Sequence, residues 1–79
     1  MEKVIAVFDI GKTNKKILLF NSEMKLVKQS EQIFPTVNDE DGFECDDIEK
    51  IEDWIQTSLK KVKNDGFKLV GVNFSTYGA

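Results

Sequence analysis

The segment Asp9-Ile10-Gly11-Lys12-Thr13-Asn14-Lys15-Lys16 concentrates residues that handle anions and metal ions. It follows the apolar run Val4 to Phe8, so Asp9 stands at the end of a buried strand. A carboxylate there is costly unless it is solvated, hydrogen-bonded or near a cation. Gly11 lets the backbone turn tightly and approach a ligand with no Cβ in the way. The amides of residues 11–14 could line a concavity for anionic oxygens, with the Thr13 hydroxyl and a lysine ammonium as further donors. An acid that holds Mg²⁺ beside such a turn suits a polyphosphate, because the metal bridges oxygens that the turn cradles. The same residues also suit a plain hairpin turn, with Gly11 and Asn14 tolerating positive φ and Asp9 hydrogen-bonding the turn.

Ala6 to Thr13 also fits a permissive P-loop pattern, but the expected secondary structure does not. A P-loop needs its four free residues in a loop and a helix starting at the Lys. Here Val7, Phe8, Asp9 and Ile10 read as strand, and Lys16 to Phe20 is β-like again.

The elements that must position the turn follow from periodicity. Val4 to Phe8 is apolar at every position, which predicts a strand buried on both faces. Lys16 to Phe20 is the second arm of a hairpin. Leu26 to Phe34 is a more polar third strand suited to a sheet edge, stopped by Pro35. Residues 38–47 read as an acidic, solvated loop. Val37 and Ile48 occupy positions where a calcium loop would need acids, which argues against a calcium site.

A helix is predicted from about Asp47 to Lys63, with Ile48, Ile51, Ile55, Leu59 and Val62 on one stripe and Trp54 flanking it. Asp46 can cap its first turn, with Glu49 as a capping-box partner, and Gly66 supplies a left-handed stop. Phe67 to Phe74 reads as a fourth strand, also buried. The expected order, β-β-β-α-β, makes an α/β domain with an antiparallel hairpin in a mixed sheet. One helix covers one face of such a sheet. A second cover is therefore expected, either from a homodimer partner or from more of the same protein, and the second is the favoured expectation.

Composition bounds the rest. The 79 residues allow one small domain with a modest core. One cysteine, Cys45, and no histidine exclude an internal disulfide, a histidine zinc site and Ser-His-Asp chemistry. Arginine is also absent, which removes a bidentate guanidinium clamp. A net charge of −3 argues against a nucleic-acid binder. No apolar run is long enough for a bilayer span, and with a lone thiol and no export pattern the expected compartment is the cytoplasm. A two-metal nuclease would need further converging carboxylates, and Phe74-Ser75-Thr76 offers none.

From Val7 through Lys16 the sequence resembles the first phosphate motif of the FGGY carbohydrate kinases, members of the actin-like ATPase superfamily with a ribonuclease-H-like fold. Lys12 replaces the first Thr of the usual Asp-x-Gly-Thr-Thr. Gly42-Phe43-Glu44-Cys45-Asp46 is similar to the family's lead into its first helix. Gly71-Val72-Asn73-Phe74-Ser75-Thr76-Tyr77-Gly78 is similar to the end of its fourth strand, in the variant found in kinases of deoxy-ketoses such as rhamnulose and fuculose. The resemblance implies ATP, Mg²⁺ and a sugar as ligands. It puts Asp9 near the metal through water, Gly11, Lys12, Thr13, Asn14 and Lys16 at the ATP phosphates, and Ser75, Thr76, Tyr77 and Gly78 at the sugar. It implies that the general base and adenosine pocket lie downstream and that the segment alone is inactive. A non-catalytic α/β module that dimerises, or another actin-like ATPase, are the alternatives.

Overall fold

The computed structural model describes residues 1–11, 14–34, 37–38, 40–42, 44–45 and 47–76, of which 44–45 are described in backbone only. Strands β1 (Lys3–Ile10), β2 (Asn14–Asn21) and β3 (Leu26–Ile33) are followed by the two-residue strands β4 (Val37–Asn38) and β5 (Glu44–Cys45), helix α1 (Ile48–Asn64) and strand β6 (Lys68–Thr76). The main sheet has the order β3-β2-β1-β6. β1 and β2 are antiparallel, as are β2 and β3, while β6 runs parallel to β1. None of the described helices is long and apolar enough to cross a membrane.

Alternation decides which side chains enter the core. Val4, Ala6 and Phe8 of β1 and Ile17 and Leu19 of β2 are buried under α1, together with Val62. Ile5, Val7, Leu18 and Phe20 point to the other face and are half-buried. The expectation that the first and fourth strands are buried on both faces is therefore corrected. Val70, Val72 and Phe74 of β6 are all exposed, Phe74 by 56%. The reason is width: a helix about 10 Å across lies over β1 and β2 and cannot cover four strands spaced about 4.8 Å apart.

The helix begins one residue later than expected. Asp47, not Asp46, is the N-cap, and its carboxylate accepts from the Lys50 amide at 3.3 Å. Lys50 thus occupies the third helical position, so Glu49 is not a capping-box partner. Asp46 lies outside the described residues. Ile48 stays 60% exposed although it lies on the same stripe as Ile55 and Leu59, because it is the first residue of the helix and sits at its end.

At the other end the Gly66 amide donates to the Lys63 carbonyl and the Phe67 amide to that of Val62, with Gly66 at φ +91°. This is a Schellman motif, and Phe67 packs back on the core that contains Val62. Lys28 of β3 donates to Asp65 at 2.7 Å, tying the sheet edge to the helix end. That hydrogen bond, aided by the charges of Lys28 and Lys61, holds the Asp65 carboxyl below its ordinary value.

One segment departs from the sequence reading. The expected acidic loop contains a ladder, with Val37 paired to Cys45 and Asn38 to Glu44. Strands of two residues are too short to show a period. Between β2 and β3 the Asn21 side-chain carbonyl accepts from the Glu23 and Lys25 amides, both at 3.0 Å, and Met24 takes φ +62°. A β-carbon at that φ costs about 1–2 kcal/mol, so Met24→Gly is expected to gain stability by about 1 kcal/mol after its added chain entropy. A higher urea midpoint at unchanged m-value is the check.

Candidate functional site

The candidate site is the end of the hairpin between β1 and β2. The turn closes through the Gly11 amide, which donates to the Asn14 carbonyl at 3.1 Å. A Cβ on Gly11 would lie 2.7 Å from that same oxygen, so the glycine is required by close approach. Among the described residues only Met24, Gly42 and Gly66 have positive φ, so Gly11 and Asn14 are not there for the left-handed region. Because its amide is engaged inside the turn, Gly11 offers space to a ligand rather than a donor. Lys12 and Thr13 lie outside the described residues. The segment after the turn is strand β2, not a helix, which excludes a P-loop.

Register brings together residues distant in sequence. Asp9 is opposite Lys16 on β2 and opposite Ser75 on β6, and Lys16 is opposite Glu31 on β3. Residues in register on neighbouring strands point to one face, so Glu31, Lys16, Asp9 and Ser75 form a polar row on the face away from α1. The Lys16 ammonium lies 3.8 Å from the Glu31 carboxylate, with both side chains nearly half exposed. Asp9, Asn14, Ser75 and Thr76 are exposed. A carboxylate and an ammonium side by side, open to solvent, can take a hard cation and the phosphate oxygens that accompany it.

Not every predicted residue joins this row. Thr76 is in register with Ile10, and Ile10 with Lys15, so Thr76 belongs to the helix-side face. Tyr77 and Gly78 lie outside the described residues. Lys15, which drew no role from sequence, proves fully buried on the helix side, with its ammonium 5.6 Å from the centre of the Phe34 ring. Its parity with Ile17 and Leu19 was the available signal.

Aromatic rings back the site. Phe8, one residue before Asp9, meets Trp54 edge-on at 5.3 Å and stacks on Phe74 at 5.4 Å, and Trp54 meets Phe34 at 5.7 Å. Trp54 is thus a core residue rather than part of a cofactor site. A separate groove between β3 and α1, lined by residues that include Lys28, Ser58, Lys61 and Asp65, contains none of the turn residues. No group of three or more metal-ligating side chains occurs among the described residues.

No protein-family model matches the sequence, and no curated protein matches it. A solved structure does. The crystal structure of gluconate kinase from Lactobacillus acidophilus superposes with a TM-score of 0.78 and 22% sequence identity, covering 96% of this chain and 16% of that one. The likeness is one of fold. This chain spans about one sixth of the length of that kinase.

Proposed function

We propose that the chain is the first part of an ATP-dependent sugar kinase of the FGGY type, built on a ribonuclease-H-like fold. The observation that carries this reading is the polar row Lys16–Asp9–Ser75 beside a turn that only glycine can close, in a chain whose fold is shared with a gluconate kinase. Asp9 fits a Mg²⁺ site of the water-rich kind, since that ion usually takes one or two carboxylates and keeps most of its water. The ion, when bound, neutralises charge on the phosphates during transfer.

The chain's own residues position the nucleotide. Lys16 supplies a point charge, and Lys12, Thr13 and Asn14 are proposed as further phosphate contacts around the space left by Gly11. Ser75, on the Asp9 face, would turn its hydroxyl to the sugar, with Thr76, Tyr77 and Gly78 proposed at the same subsite. No residue of this chain is proposed as the general base. The protein is proposed to act in the cytoplasm, where ATP and free sugars are available.

The substrate class has two supports that differ. The similarity of Ser75 to Gly78 to a deoxy-ketose kinase motif favours a ketose, whereas the named substrate of the structural neighbour is a sugar acid. ADP release by the full-length protein, followed with rhamnulose, fuculose and gluconate in turn, tests both. Stimulation by one of them is expected. Hydrolysis of ATP that no sugar changes would favour a sugarless actin-like ATPase and overturn the kinase reading.

A further inference from the structure

Lys15 is the charged residue with no exposed surface among those described, and the next two residues of β2 on that face, Ile17 and Leu19, are apolar and buried. Removing an ammonium from water is costly unless its charge is compensated, so a lysine at this position is held in place by what surrounds it. The position is also specific. Ile10 and Lys15 form the last register pair before the turn, and the Gly11–Asn14 hydrogen bond lies immediately beyond them. The ammonium stands over Phe34, Phe34 meets Trp54, and Trp54 meets Phe8, the residue before Asp9. The base of the turn and the strand end that carries Asp9 are therefore joined through one cation and three rings.

We propose that Lys15 is a positioning residue for the phosphate turn, a role that rests on the kinase reading above. From the helix side it fixes the base of the turn against Phe34, while Asp9 and Lys16 face the ligand from the other side of the sheet. It does not touch the nucleotide. Its charge matters because a cation over a ring face has a preferred place, whereas an apolar chain of the same length can slide.

The test compares Lys15→Met, Lys15→Arg and Phe34→Leu in the full-length protein. Lys15→Met is expected to raise KM for MgATP about tenfold, with KM for the sugar unchanged. Its melting temperature is expected to fall, because truncating one member of a buried charged contact leaves the rest of it uncompensated, so KM is read on protein that a thermal melt shows to be folded. Lys15→Arg should restore most of the affinity, since a guanidinium also packs on a ring. Phe34→Leu should raise KM for MgATP as well, and combining it with Lys15→Met should add little. Wild-type KM for MgATP in Lys15→Met overturns the role. If Lys15→Met does not fold, wild-type KM in Phe34→Leu overturns it equally. A wild type that phosphorylates no sugar overturns the kinase reading and this role together, while a working wild type with unaltered variants overturns this role alone.

Discussion

Asp9→Asn in the full-length protein is expected to lower sugar-dependent ATP turnover by about 100-fold or more, with the fold intact. The substitution keeps the size of the side chain and removes its charge. Asp9 is exposed at the end of β1, so no buried partner is orphaned. Stability should therefore change by no more than about 0.5 kcal/mol. What is lost is the carboxylate proposed to anchor the cation beside Lys16. Groups that act on a metal through its shell are worth about 10–100-fold, and loss of one aligned electrostatic contact in a transition state about 100–1,000-fold. Coupled ADP release at saturating sugar, with a thermal melt of the same preparation, reads both quantities. Turnover within a factor of two of wild type would remove Asp9 from the site, and with it the argument that the row Lys16–Asp9–Ser75 is functional.

That row was legible in the sequence only in part. Asp9, Gly11 and Lys16 stand close together in the chain, and the types of those residues suggested a phosphate turn before any pairing was known. Ser75 came from a resemblance. Its place opposite Asp9 depends on the parallel pairing of β6 with β1, which no local pattern encodes. The same pairing separates Ser75 from Thr76, since successive residues of a strand face opposite ways.

Helix α1 was legible because its apolar stripe repeats at three and four, yet its cap moved from Asp46 to Asp47. Adjacent aspartates are equal as caps by residue type, so the local sequence does not choose between them. Lys15 was passed over because lysine reads as solvated, although it shares the inward parity of Ile17 and Leu19. The exposure of Val72 and Phe74 was missed for a different reason. Their apolar character says that they can be buried, whereas coverage depends on how far one helix reaches across the sheet.

The aromatic group behind the site sets the largest stability effect. Phe8 has no exposed surface and contacts two rings, Trp54 edge-on and Phe74 face to face. Phe8→Ala removes the transfer energy of a buried ring and leaves a cavity that strands on either side of β1 prevent from collapsing, a loss of about 3–5 kcal/mol. At about 0.05–0.15 kcal/mol per residue, a chain this size has roughly 4–12 kcal/mol in total. In the 79-residue chain itself, the variant should melt at least about 12 °C below the unsubstituted chain, since each kcal/mol is worth roughly 4–8 °C in domains of this length. The Trp54 near-ultraviolet signal should weaken with it, because that indole loses its nearest ring. Phe74 cannot compensate, being 56% exposed on the sheet edge. A shift under about 4 °C would mean that the core is organised around α1 and β2 alone, and that the strand carrying Asp9 is held mainly by its backbone hydrogen bonds.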